Sequence, residues 1–107
     1  QGVFKVTMNE SLAVALLTNL LKNAFVHNID GGHIRITVTK NGITFRNSGV
    51  EHPLNKEHIF ERFYQGSKKE GSTGLGLAIA DSICRLQHLN IKYYFEQNEH
   101  CFEISQS

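Results

Sequence analysis

Residues 16–24 read Leu-Leu-Thr-Asn-Leu-Leu-Lys-Asn-Ala, and the reading of this stretch decides the fold. Around it, Leu12, Leu16, Leu17, Leu20, Leu21 and Ala24 recur at helical spacing, and no glycine or proline interrupts them from Glu10 to about Asn28. That pattern predicts a long amphipathic helix with the leucines facing inward. Asn9 is placed to cap it, because its side-chain oxygen can accept from a free N–H of the first turn. Asp30-Gly31-Gly32 supplies the turn that ends it. Asn19 and Asn23 stand one turn apart inside the helix, and His27 continues their stripe. Asparagine is a poor mid-helix residue because its amide competes for backbone partners. Two readings of the stripe stay open: a solvated polar face opposite the leucines, or amide oxygens directed at a hard cation or a phosphate. Mg²⁺ keeps waters and substrate phosphates around it, so one asparagine suffices as a protein ligand.

Outward from the helix, Val3 to Met8 alternates, with Phe4, Val6 and Met8 on one side, and predicts a half-buried strand. Ile34, Ile36 and Val38 alternate with Arg35, Thr37 and Thr39. Asn41-Gly42 follows as a two-residue turn that accepts positive φ, and Ile43 and Phe45 return, so a hairpin is expected. A short helix is predicted around Asn55 to Tyr64, with Ile59, Phe60 and Phe63 on one side. The polar, glycine-flanked run from Gln65 to Ser72 reads as a mobile loop. Leu75 to His88 has helical period, with Leu75, Ile79, Ile83 and Leu86 inward, and Ile91–Gln97 with Cys101–Ser105 forms a second hairpin. Three helices and five strands predict a single domain over residues 1–107. Its class is α/β (α+β), a two-layer sandwich with a mixed five-stranded sheet covered on one face by about three helices.

At 107 residues, 40% hydrophobic and 20% charged, the chain can bury a core. A net charge of +1 lacks the basic excess of a nucleic-acid binder. No apolar run is long enough to span a bilayer and no leader pattern is present, so a compact cytoplasmic domain without direct membrane insertion is expected. Cys84 and Cys101 read as buried small hydrophobes. The six histidines lack paired ligand spacing and read as surface residues.

Gly71-Ser72-Thr73-Gly74-Leu75-Gly76-Leu77 stands where a loop becomes a helix. Backbone N–H groups in such a turn can approach an anion, aided by the helix dipole. A plain hinge with Ser72 or Thr73 as N-cap is the other reading. It is neither a Walker A run nor a dinucleotide fingerprint, because no Gly-Lys-Ser/Thr occurs and Ile79 stands where the third glycine belongs.

Taken in order, three stretches resemble motifs of the ATP-binding catalytic domain of two-component sensor histidine kinases, within the GHKL ATPase superfamily. Residues 16–24 look like the N box, Ile59-Phe60-Glu61-Arg62-Phe63-Tyr64 like the F box, and Thr73-Gly74-Leu75-Gly76-Leu77-Ala78-Ile79 like the second glycine box. The resemblance implies a Bergerat-type fold with ATP between the N-box helix and the loop before the last helix. It implies Asn23 as the Mg²⁺ ligand, Asn19 and His27 on the same flank, and Thr73, Gly74, Leu75, Gly76 and Leu77 at the phosphates. Phe60 and Phe63 would pack beneath a lid carrying Lys68 and Lys69. Asn47-Ser48-Gly49-Val50-Glu51 matches the first glycine box, so Asn47 and Gly49 would meet the base. Here the family's aspartate is Asn47, its second glycine is Glu51, and Val26 and Gln65 stand where basic residues often occur. Asparagine can present either end of its amide, which predicts weak discrimination between ATP and GTP.

The implied function is that of a sensor histidine kinase's catalytic domain. It transfers the γ-phosphoryl group of Mg-ATP to a histidine on a separate dimerisation domain of the same protein, which then serves a response regulator. Alternatives are a degenerate nucleotide-sensing or conformational-relay module, and another GHKL member such as an anti-sigma-factor kinase or a type II topoisomerase ATPase domain.

Overall fold

A computed structural model describes residues 2–28, 31–51, 53–61 and 75–106. Helix α1 spans Glu10–Val26, and Asn9 caps it as expected, its Oδ1 accepting from Leu12 N–H at 3.1 Å. Strands β1 (Ile34–Thr39) and β2 (Gly42–Asn47) form the first hairpin. Helix α2 (Gly76–Leu86) leads into a second hairpin of β3 (Leu89–Glu96) and β4 (Glu99–Gln106). The order β1-β2-β4-β3 makes one sheet of four strands, antiparallel at every junction. The chain is therefore α+β, with two helices and an antiparallel sheet among the described residues.

Register sets which residues meet. Phe45 pairs with Phe102, which pairs with Tyr93, and Ile43, Ile104 and Ile91 align in the same way. Side chains two apart share a face, so these residues form one inner layer. Leu16 and Leu20 of α1 and Ala80, Ile83 and Cys84 of α2 complete the core with Phe45, Tyr93 and Phe102. Both cysteines are free and buried, as expected, and burial pushes the Cys84 thiol up to about 11.

Several local expectations are corrected. Residues 3–8 form no strand, so neither the five-stranded count nor the mixed pairing is found among the described residues. Phe4, Val6 and Met8 still pack on the core. The segment meets the sheet at strand ends, through Gly2 N–H to Val38 O at 2.9 Å and Gln106 Nε2 to Lys5 O at 3.1 Å, and does not run along an edge. The described part of the predicted 55–64 helix is a pair of turns, with Asn55 O accepting from His58 N–H and His58 O from Glu61 N–H. Asn55 Oδ1 takes the Glu57 N–H, and such side-chain capture favours turns over helix. Residues 62–74, which include the rest of that helix and the Gln65–Ser72 loop, lie outside the described residues.

The first hairpin turns at Lys40-Asn41, one residue earlier than expected, and neither residue has positive φ. Gly42 instead opens β2, where an added Cβ would collide with the Ile104 carbonyl of β4. The double positive φ that suits a tight hairpin belongs to Gln97 and Asn98, between β3 and β4. Helix α1 buries a narrower stripe than its leucine pattern implies, and α2 buries a different one. Leu17 and Leu21 of α1 are exposed, as are Val14 and Phe25 on the same flank. On α2, Ile79 and Leu86 face outward, and Ala78, Ala80, Ile83 and Cys84 go in. Periodicity counts apolar residues, whereas burial follows which small side chains let two elements approach.

Candidate functional site

Helix α1 carries Asn19 and Asn23 on a half-buried flank between its core stripe and its exposed side, so the fully solvated stripe is excluded. Asn19 Nδ2 donates to Ala15 O at 2.8 Å. Its Oδ1 lies against the start of α2, where a Cβ on Gly76 would come within 3.3 Å. The N-terminus of α2 thus meets the middle of α1, with Leu75, Gly76 and Leu77 half-buried at the junction. His27 is the C-cap of α1, and its backbone N–H donates to Asn23 O.

The other wall is the turn that follows β2. Asn47 is only 1% exposed. Its Nδ2 donates to Ser48 O at 2.7 Å, and its Oδ1 is buried with no hydrogen-bond partner. A carbonyl oxygen can only accept, so the Ser48 contact fixes which end of the amide is which. Gly49 comes next, and a Cβ there would stand 2.9 Å from His27 O and 3.0 Å from the His100 ring. Glycine is required by this close approach, since Gly49 is not among the residues of positive φ. Ser48 ties the turn to its surroundings: His33 N–H donates to its Oγ at 2.8 Å, its own N–H reaches His33 O, and its hydroxyl meets Asn28 Oδ1.

The structure therefore brings together Asn19 with Gly76, and His27 with Gly49 beside Asn47. Phe60 packs edge-to-face on Phe102, their ring centroids 6.2 Å apart. Of the departures from the family pattern, Val26 is half-buried on α1 and Glu51 is exposed. Phe63, Gln65, Lys68, Lys69, Thr73 and Gly74 lie outside the described residues. No cluster of three or more metal-ligating His, Cys, Asp or Glu side chains occurs among the described residues.

Two residues at the site were missed by the sequence reading. His100 is 3% exposed, against the expectation of a surface histidine. Its ring lies between Tyr93 and Phe95 and holds Val50 O through Nε2 at 2.8 Å. The available signal was its place in the alternation His100, Phe102, Ile104, where a polar residue in an inward register must find buried partners.

Next to it, Glu99 points to the opposite face of the sheet and is nearly buried there. Arg35 grips its carboxylate with two bonds of 2.6 and 3.1 Å, and His33 Nε2 adds a third at 2.6 Å. The Arg35 bond, with help from His33, holds the Glu99 carboxyl below the usual carboxylate range despite the opposing effect of burial. A depressed carboxyl contributes stability above its unfolded pKa, about 4.3, and loses it as pH falls through the folded value. Glu99→Gln is therefore expected to lower stability at neutral pH and to make the acid limb of a pH–stability curve shallower. Denaturant titrations between neutral and acidic pH check this, and parallel curves for the two proteins would contradict it.

A family model described as histidine kinase-, DNA gyrase B- and HSP90-like ATPase matches residues 8–105. The chain belongs to this ATPase family. Among its relatives, the sensor histidine kinase RppB of Synechocystis is 44% identical over 84 residues, covering 70% of this chain and 18% of RppB. The heme sensor protein HssS of Staphylococcus aureus is 40% identical over 90 residues, covering 79% of this chain and 20% of HssS. This ATPase domain thus spans about one fifth of the length of those proteins. Its architecture matches the catalytic domain of histidine kinase ThkA at a TM-score of 0.76 and 27% identity, over 92% of this chain and 68% of that one. The mycobacterial sensor histidine kinase MprB shares the fold at a TM-score of 0.72 and 24% identity, over 92% of this chain and 74% of that one. No helix among the described residues is long and apolar enough to cross a membrane.

Proposed function

We propose that this chain is the ATP-binding catalytic domain of a cytoplasmic sensor-kinase portion. It would transfer the γ-phosphoryl group of Mg-ATP to a histidine on a separate dimerisation domain, for later receipt by a response regulator. The observation that carries the reading is the buried, unpartnered Oδ1 of Asn47 beside the Gly49 turn. A buried acceptor without a donor costs about 1–3 kcal/mol, and the exocyclic amino group of adenine is a donor of the right kind. Gly49 and Gly76 let the backbone beside Asn47 and the start of α2 pack closely on His27, His100 and Asn19, and the free acceptor of Asn47 fits an adenine amino group. Asn23 would supply the oxygen ligand for Mg²⁺, with Asn19 one turn away. Phe63, Lys68, Lys69, Thr73 and Gly74 join the proposed site through their motifs. Mg-ATP, when bound, supplies the phosphoryl group, and the protein's part in such transfers is mostly positioning and charge stabilisation.

The orientation of Asn47 revises the sequence-level expectation about specificity. With Nδ2 engaged by Ser48 O, the acceptor end is the one left for a ligand. Guanine presents a carbonyl oxygen where adenine presents its amino group, so the wild type is expected to prefer ATP to GTP. Asn47→Asp would set a carboxylate oxygen against the Ser48 carbonyl and lose that bond. It is expected to weaken ATP binding by roughly tenfold. Competition titrations with both nucleotides and Mg²⁺ test this, and equal affinities in the wild type would remove Asn47 from the pocket. Absence of calorimetric heat with millimolar ATP and Mg²⁺ would favour the nucleotide-sensing or conformational-relay module, a reading motivated by the neutral residues Asn47, Val26 and Gln65.

A further inference from the structure

We propose that His100 and Tyr93 are positioning residues for the nucleotide site, holding the turn that carries Asn47 and Gly49 in its binding geometry. Asn47 and His100 are direct partners across the β2–β4 ladder, so both point to the inner face at the same level. From there His100 Nε2 reaches Val50 O at 2.8 Å, and Tyr93 Oη reaches His100 Nδ1 at 2.7 Å. Tyr93 Oη also accepts from Leu54 N–H at 2.9 Å. The two ends of this relay fix its direction. A backbone carbonyl can only accept and a backbone N–H can only donate, so in the neutral imidazole Nε2 carries the proton and Nδ1 accepts from the tyrosine. Two side chains on β3 and β4 thereby hold the backbone on both sides of Glu51.

Packing restricts the turn further. A Cβ on Gly49 would stand 3.0 Å from His100 Cδ2, so the imidazole edge forms a floor under that residue. Glu99, the next residue on β4, acts from the other face. It holds Arg35 and the His33 side chain, and the His33 backbone exchanges bonds with Ser48. Consecutive residues of one strand therefore restrain Ser48, Gly49 and Val50 from both faces of the sheet. A hydrogen-bond acceptor contributes to specificity only when held to within a fraction of an ångström, and this arrangement supplies that restraint to Asn47.

The proposal rests on the nucleotide-binding reading, and its test separates the two. Tyr93→Phe removes one hydroxyl and keeps the ring, and His100→Phe removes both imidazole bonds. Ile104→Val, further along the inner face of β4, serves as a control for general loss of core packing. Calorimetry with Mg²⁺ and a non-hydrolysable ATP analogue is run on the 107-residue chain. Amide exchange at Leu54 is followed without nucleotide. Expected are a roughly tenfold weaker affinity for Tyr93→Phe and His100→Phe, and wild-type affinity for Ile104→Val. Faster exchange at Leu54 should accompany Tyr93→Phe. If the wild type binds the analogue and Tyr93→Phe binds it equally well, the positioning role is overturned and the nucleotide reading stands. If the wild type binds none, the nucleotide reading fails and the positioning role with it.

Discussion

Asn23→Ala is expected to lower the affinity for Mg-ATP by on the order of 100-fold while leaving the melting temperature unchanged or slightly raised. The two halves of this result have separate causes. An oxygen ligand or charge-assisted hydrogen bond to a bound ion is worth about 1.5–3 kcal/mol, which converts to between tenfold and somewhat above one-hundredfold. Asn23 sits in the interior of α1 on a half-buried flank, where alanine is the better helix former by a few tenths of a kcal/mol. Leu20 and Ala24, which fasten this part of the helix to the core, are untouched. Calorimetric titration with ATP and Mg²⁺, paired with a thermal melt, measures both quantities. Unchanged affinity would leave Asn23 as a polar residue of the helix flank without a ligand.

Phe102→Ala is expected to cost about 3–5 kcal/mol, a large part of the roughly 5–15 kcal/mol that holds a domain of this size together. Phe102 is 2% exposed and lies in the middle of the inner layer, paired with Phe45 on one side and Tyr93 on the other. Its ring centroid is 5.1 Å from that of Tyr93, and the Phe60 ring meets it edge-on. Sheet neighbours cannot close the gap, because the β2–β4 and β3–β4 ladders fix the spacing of their backbones. The change should move the midpoint of a urea titration sharply downward with little change in slope. A cost below about 1 kcal/mol would mean that Phe60 and the helices collapse into the space.

Much of the fold could be read from short stretches of the chain. Asn9 as cap, the interruption-free run after it and the alternation from Ile34 to Val38 each act within a few residues, and each produced the element expected. The candidate site was partly legible for a similar reason. Asn19, Asn23 and Gly76 lie in stretches whose order along the chain resembles a known family, and α1 and α2 bring Asn19 and Gly76 into contact. Where local signals were ambiguous, distant partners decided. The first hairpin turns one residue early, and its glycine opens β2, because the β4 backbone runs close beside Gly42. Residues 3–8 have strand periodicity, but periodicity cannot supply an edge to pair with.

What the sequence alone determined, then, is helices α1 and α2, the two hairpins, and the antiparallel return of β2 on β1 and β4 on β3. These follow from spacing, capping and turn chemistry, which operate along the chain. Only the tertiary structure decided which flank of each helix is buried, which end of the Asn47 amide is free, and that His100 is an interior residue. The reason is the same for all three: each depends on a partner brought close by folding. Asn47 stands opposite His100 across the β2–β4 ladder, and His100 finds Val50 fifty residues away in sequence.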